Sequence, residues 1–305
     1  MVLESEKTES IPLKYDIFVG CTIQNRIPFI EKSARYVFEK LGIELHDNSE
    51  FACCPDPVGV QSTSHDAWLT LGARNLALAE EDQRPIVSFC NGCSETLKAV
   101  RQELLKNPEE KKVVQVRLEE IGRSFAGTSE VKHFIEVLYE NVGSDEIKKS
   151  IVKPLTGMKI AMHPGCHYSR PHELVHTDDA LYPIYPRKVV EALGATVVDY
   201  QEELMCCGSG VARVNEDAAN GMLKRKYSSI QEAEADFIAV ICPSCFLQLE
   251  VGQRAMKKAY QMEVKIPVLY VTELMALAFG ASMAEIGLKF HQVKPIKVLK
   301  EFGFE

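Results

Sequence analysis

Apolar positions along the chain gather into short unbroken runs, and the runs of the first half have near-copies in the second. Residues 14–21 and 158–166 each pass through apolar positions into a Gly-Cys pair, Gly20-Cys21 and Gly165-Cys166. Residues 85–93 and 237–245 each carry an apolar run into a Cys-x2-Cys, at Cys90 and Cys93 and at Cys242 and Cys245. Runs this short and continuous predict buried strands that end at a cysteine. Between them the period changes to that of a helix. Ile30, Ala34, Val37, Phe38 and Leu41 recur at helical spacing before Gly42, and residues 186–193 do so before Gly194. Further helices are predicted over 94–105 and 246–260, after each Cys-x2-Cys, with a closing unit at 133–139 answered by 271–277. His65 and Trp68 open another helix, in a core or boundary role.

Strands alternating with helices predict an α/β fold built from β-α-β units with parallel sheets. The repetition predicts two pseudo-symmetric Rossmann-like domains, residues 1–150 and 151–305. The boundary falls in 142–157, a polar, Lys-rich stretch containing Pro154 and two glycines. Parallel sheets bind ligands beyond the carboxyl ends of their strands, so Cys21, Cys90, Cys166 and Cys242 are expected on that edge. The adjacent pairs Cys53-Cys54 and Cys206-Cys207 are expected on loops folded over it.

Composition narrows the chemistry. The chain has 305 residues, 46% hydrophobic and 26% charged, enough for two ordinary domains with proper cores. A net charge of −8 disfavours a broad nucleic-acid surface. The acidic start lacks the basic and apolar regions of a secretory signal, and the apolar stretch 274–284 is too short to cross a bilayer. A cytoplasmic location follows as the expectation. In that reducing compartment ten cysteines are better suited to metal or redox chemistry than to disulfides.

The cysteines divide without remainder into Cys-x31-Cys-Cys-x35-Cys-x2-Cys and Cys-x39-Cys-Cys-x34-Cys-x2-Cys. A single Cys-x2-Cys is a weak signal, because buried cysteine packs like a small apolar residue. Two matched sets of five are a strong one. Structural zinc takes four ligands, commonly from two such pairs, whereas each half offers five cysteines and one pair. Compact cubane clusters use tighter spacing, so these sets point to an iron–sulfur site of less ordinary form. Thiolates do not choose iron uniquely, and zinc in one half stays open.

Gly20-Cys21, Ala52-Cys53-Cys54-Pro55, Cys90-Asn91-Gly92-Cys93, His163-Pro164-Gly165-Cys166-His167, Cys206-Cys207-Gly208 and Cys242-Pro243-Ser244-Cys245 resemble the duplicated cysteine-rich CCG domain of the heterodisulfide reductase B subunit family. The resemblance covers nearly the whole chain. Its first copy departs from the family pattern in having Pro55 where Gly would stand. The resemblance implies two noncubane [4Fe-4S] clusters, one per domain, held by Cys21, Cys53, Cys54, Cys90 and Cys93 and by Cys166, Cys206, Cys207, Cys242 and Cys245. It implies reduction of the coenzyme M–coenzyme B disulfide to two thiols, with no flavin on this chain. Electrons would come from two partner subunits, one ferredoxin-like and one flavin-bearing, joined to a hydrogenase or formate dehydrogenase in an electron-bifurcating complex.

Such a substrate carries sulfonate, phosphate and carboxylate groups, which makes nearby cations candidate contacts: Arg26, His163, His167, Arg170 and Arg213. Each can equally be a solvated surface group or a support for a cluster. His172 lies in the same stretch. Lys224, Arg225 and Lys226 either line a channel or form a solvated helix face. The tail 289–305, with Lys294, Lys297 and Lys300 among apolar residues, reads as a docking segment for a partner or as a solvated terminus. Two other functions stay open: a related subunit of a sulfur-, lactate-, glycolate- or succinate-oxidising complex, and a non-catalytic electron relay.

Overall fold

The computed structural model describes residues 13–305, so the acidic start lies largely outside it. Strands β1 (Lys14–Phe18), β2 (Glu44–His46), β3 (Ile86–Ser88) and β4 (Val131–His133) form one sheet in the order β2-β1-β3-β4. Strands β5 (Lys159–His163), β6 (Thr196–Val198), β7 (Phe237–Val240) and β8 (Val268–Tyr270) form a second in the order β6-β5-β7-β8. Every pairing is parallel. The expected α/β architecture with two Rossmann-like parallel sheets is therefore present. β1 and β5 sit inside their sheets and are buried beyond their first, charged residue, which explains their continuous apolar runs.

The helices follow the apolar periodicity. α1 (Cys21–Arg26) and α2 (Pro28–Lys40) follow β1, α3 (His65–Asp82) precedes β3, and α4 (Asn91–Lys106) follows it. In the second half α5 (Tyr185–Ala192), α6 (Glu216–Glu232) and α7 (Pro243–Tyr260) repeat the roles of α2, α3 and α4. α8 (Val271–Ala278) closes the second sheet, and α9 (Ile296–Glu301) lies near the C-terminus. α2 begins with proline, whose missing N–H costs nothing in a first turn, and buries Phe29, Ile30, Ala34, Val37 and Phe38.

The two halves pack through exchanged helices. α2 lies against α8 of the other half, where Ser33 Oγ meets Thr272 Oγ1 at 2.8 Å. Reciprocally, α5 lies against the helical segment after β4, where the rings of Tyr139 and Tyr185 stack 4.0 Å apart. One apolar core runs through both halves, from Tyr15 to Phe304. A second, around Trp68, Leu76, Leu97, Val100 and Leu104, joins α3 to α4. Each large side chain buried there contributes roughly 1.5–3 kcal/mol.

The tail is neither a free arm nor wholly solvated. Leu288, Leu299 and Phe304 are buried, and His291 is fully enclosed between Glu250 and Glu273. Lys294 and Lys297 face Arg254, Lys257 and Lys258 of α7 across a groove of about 750 Å³.

Candidate metal centres

Both Gly-Cys pairs stand just past the ends of the central strands, where the chain must turn sharply. Gly20 and Gly165 have φ of +74° and +79°, a conformation open to glycine and costly for other residues. Space imposes the same requirement. A Cβ on Gly20 would lie 2.8 Å from Cys93 Sγ, and one on Gly165 would lie 2.6 Å from Asn91 Nδ2 and 3.4 Å from Cys245 Sγ. The glycines thus let each turn settle onto the start of the helix that carries the second cysteine of the Cys-x2-Cys.

Cys90 and Cys242 are the extended residues that cap α4 and α7, while Cys93 and Cys245 fall in the first turns of those helices. The free N–H groups and positive end of a helix favour thiolate over thiol. Gly208 N–H donates to Cys206 Sγ at 3.3 Å.

All ten sulfurs form one chain of neighbours. Cys21 meets Cys53 at 4.0 Å, and Cys166 meets Cys206 at 3.9 Å. From Cys53 the interactions pass to Cys54, Cys93 and Cys90; from Cys206 they pass to Cys207, Cys245 and Cys242. Cys90 and Cys242 join the two runs. Cys21 and Cys53 are exposed, Cys90, Cys166 and Cys206 are half-buried, and Cys54, Cys93, Cys207, Cys242 and Cys245 are buried.

This crowding sets the protonation of the thiols against one another. Accepting S–H from neighbours holds Cys54 and Cys242 well below the ordinary thiol range and takes Cys206 to about 2. Donating to Cys206 pushes Cys207 up to about 12, and donation to neighbours likewise raises Cys53, Cys90, Cys93, Cys166 and Cys245. Adjacent thiolates repel, so as a bare protein the set cannot ionise throughout. A multivalent iron centre removes that conflict by taking the place of the protons. The donor set, two groups of five soft sulfurs at helix starts, fits iron–sulfur clusters.

The cationic residues separate into three groups. Arg26 and Arg213 are exposed, at the ends of short helices that follow Cys21 and Cys206-Cys207. His167 and Arg170 are half-buried beside Cys166. His167 Nδ1 lies 3.4 Å from Glu95 Oε2, and that carboxylate outweighs burial and holds the imidazole pKa above its ordinary value. Arg170 donates to Leu204 O at 3.1 Å.

His163 is a different case, being sealed from solvent. Its Nδ1 donates to Glu203 O at 3.3 Å, its Nε2 has no partner, and the ring lies with Cys207 and Cys245, ligand atoms all within 4.8 Å of one another. Burial, with Lys226 nearby, takes its pKa down to about 3, so the ring is neutral. Lys226 is also fully buried, which corrects the reading of residues 224–226 as a solvated face; only Lys224 and Arg225 are exposed.

Three further residues join the halves beside the cysteines. Tyr270 Oη, at the end of β8, donates to the carbonyl of Phe89, the residue before Cys90. His133 Nε2, at the end of β4, donates at 3.3 Å to the carbonyl of Ile241, the residue before Cys242. Asn91 Nδ2 donates at 2.7 Å to Pro164 O in the other half's Gly-Cys turn. The sequence does place His133 and Tyr270 at equivalent ends of apolar runs, but nothing in it tells that they cross between sheets.

Residues 15–98 and 160–250 each match the model of the cysteine-rich domain called CCG. The chain belongs to the CCG family. Within it, this duplicated CCG protein is 38% identical to the B subunit of the ferredoxin:CoB-CoM heterodisulfide reductase of Methanosarcina mazei, over 94% of this chain and 96% of that one. It is 30% identical, over 93% and 99% of the two chains, to the 8-methylmenaquinol:fumarate reductase membrane anchor subunit of Wolinella succinogenes. No helix of the described residues is long and apolar enough to cross a membrane. Among solved structures, a hypothetical protein from Helicobacter pylori shares the fold, with a TM-score of 0.72 at 17% identity. That match covers 93% of this chain and about half, 52%, of the other. Sequence thus ties this iron–sulfur protein to the B subunits of heterodisulfide reductases along almost its whole length.

Proposed function

We propose that reduction of the coenzyme M–coenzyme B disulfide takes place on this chain, R–S–S–R′ + 2 e− + 2 H+ giving RSH and R′SH. The observation that carries the reading is the cross-bonding of the two Cys-x2-Cys segments, Tyr270 Oη to Phe89 O beside Cys90 and His133 Nε2 to Ile241 O beside Cys242. It sets two five-cysteine groups edge to edge, as a reaction needing two electrons and releasing two sulfur fragments requires. When bound, two noncubane four-iron clusters, one on Cys21, Cys53, Cys54, Cys90 and Cys93 and one on Cys166, Cys206, Cys207, Cys242 and Cys245, supply one electron each and iron to hold each fragment.

The remaining work falls to the chain itself. The Gly20 and Gly165 turns hold the sulfurs in place, and Tyr270 and His133 fix the two Cys-x2-Cys segments against the opposite sheet. His167, whose charged form Glu95 favours and which is partly open to solvent, is placed to give a proton to a product thiolate. The exposed Arg26 and Arg213, with Arg170, attract the anionic ends of the substrate. His163 leaves this group, because a buried ring cannot reach a substrate's acidic groups. Electrons enter from a ferredoxin-like partner and a flavin-bearing partner, ultimately from a hydrogenase or formate dehydrogenase, in the cytoplasm.

The test is anaerobic. Purified protein should hold about eight irons with matching sulfide, four per five-cysteine set, and should oxidise a reduced viologen when the disulfide is added. Full iron loading without disulfide cleavage overturns the assignment. In that case the similarity to a fumarate reductase subunit favours the second reading, an electron relay, which predicts that the loaded protein passes electrons between partners while leaving the disulfide untouched.

A further inference from the structure

The two sites are built on one plan, so departures from it stand out. β1 ends at Phe18 and β5 at His163, each followed by one residue and then by Gly-Cys. Phe18 packs in the apolar cluster that includes Cys54 and Cys93; His163 lies with Cys207 and Cys245, the corresponding pair. An aromatic hydrocarbon on one side is therefore replaced on the other by a ring whose unpartnered nitrogen is buried among the sulfurs.

A second exchange lies on the next helix. α3 is capped by Ser64 and α6 by Asn215, and the eleventh residue after the cap is Asn75 in one and Lys226 in the other. Both are fully buried. Both secure the loop that carries the adjacent cysteines: Asn75 accepts from Ala52 N–H at 3.0 Å and donates to Cys53 O at 3.1 Å, while Lys226 Nζ donates to the carbonyls of Glu202 and Glu203. The structural task is shared, yet only the second site receives a cation. Lys226 Nζ shares the Glu203 carbonyl with His163 Nδ1, and the His163 ring lies with Cys207 and Cys245, so the ammonium stands one residue behind the sulfurs.

We propose that the two sites are electrically unequal, with Lys226 making the second site the stronger electron acceptor and Asn75, in the equivalent place, leaving the first the weaker. The inference rests on the iron–sulfur reading proposed for the two cysteine sets. A fixed positive charge beside a cluster lowers the energy of the added electron, and little water intervenes to screen it. A cluster on the Cys166 set would then be the easier of the two to reduce.

The experiment is an EPR-monitored redox titration of anaerobic, iron-loaded full-length protein, wild type beside Lys226→Gln. Iron and sulfide are counted first. Two separate waves are expected in the wild type. K226Q, which keeps a donor without the charge, should shift the higher wave downward and leave the lower one in place, and Lys226→Arg should restore the wild-type position. Should a second-site variant lose iron, the reciprocal Asn75→Lys decides the matter, since it should raise the lower wave. Coincident waves in the wild type, or fully loaded variants whose waves do not move, overturn the inequality while leaving disulfide reduction intact. Failure to load iron at all instead removes the iron–sulfur reading on which it rests.

Discussion

Cys90 and Cys242, each the cap of the helix that follows a central strand, face one another at the junction of the two sheets. They are the joint of the ten-sulfur chain, while Cys21 and Cys166 are its ends. Position in that chain predicts the reach of a substitution. Cys21→Ala should alter the EPR signal of the first site alone. Cys90→Ala or Cys242→Ala should change both signals, because the site that keeps its own five cysteines loses the neighbour that buries and polarises one of them. Unchanged spectra from the opposite site in both joint variants would show that the two sites are independent.

Gly20→Ala tests the turn without touching a cysteine. The added methyl must lie 2.8 Å from Cys93 Sγ in a backbone with φ +74°, and the helix behind that sulfur leaves it little room to yield. Iron content should fall by about half if each site holds four of about eight irons, with the second-site signal retained. Full loading of G20A would mean that the turn and Cys93 move apart more easily than their packing implies.

Much of this architecture is legible in the sequence, for a physical reason. Strands buried on both faces must be continuous apolar runs, so β1, β3, β5 and β7 announce themselves, and the cysteines at their ends inherit a common edge. The edge strands β2 and β6 are three residues long and only half-buried, with Glu44 and His46 in one of them, and leave no such run. Side-chain destinations are harder to read. Lys226 sits among charged neighbours on α6, and only the geometry of the Glu202 and Glu203 carbonyls shows why this one lysine is buried. By sequence His163 falls among the cations around Cys166, but its strand-end position turns it inward. The bonds from Tyr270 to Phe89 and from His133 to Ile241 depend on how the sheets meet, which no local pattern encodes.

Tyr270→Phe removes one of those bonds and little else. The ring remains in the core against Phe134, while the buried carbonyl of Phe89 loses its donor from across the sheets. A buried acceptor deprived of a partner costs about 1–3 kcal/mol. The denaturation midpoint should drop accordingly, and the first-site spectrum should shift, since Cys90 is the next residue along. A variant as stable as the wild type would show that the bond contributes nothing to joining the halves.

The tail offers a pH test independent of the clusters. His291 Nε2 lies 2.8 Å from Glu273 Oε1, and its Nδ1 is 3.1 Å from Val268 O and 3.5 Å from Glu250 Oε1. Burial acts to lower the imidazole pKa, but Glu273 and Glu250 together outweigh it and hold the pKa above the ordinary value. Burial raises that of Glu250 as well. A folded-state pKa above the unfolded one contributes stability that is complete below the unfolded value and is lost as pH rises through the folded value. For His291 the unfolded value is about 6.5, so the loss begins as pH rises above it, while Glu250 acts in the same sense in a more acid window that opens above its own ordinary value. Hydrogen-exchange protection of residues 289–305, corrected for the intrinsic rate, should therefore decline as pH rises above about 7. His291→Leu should abolish the dependence on this histidine and cost about 3–5 kcal/mol, because two buried carboxylates lose their counter-charge. Protection that rises with pH in the wild type would show that burial prevails and holds the imidazole neutral, with its pKa below the unfolded value.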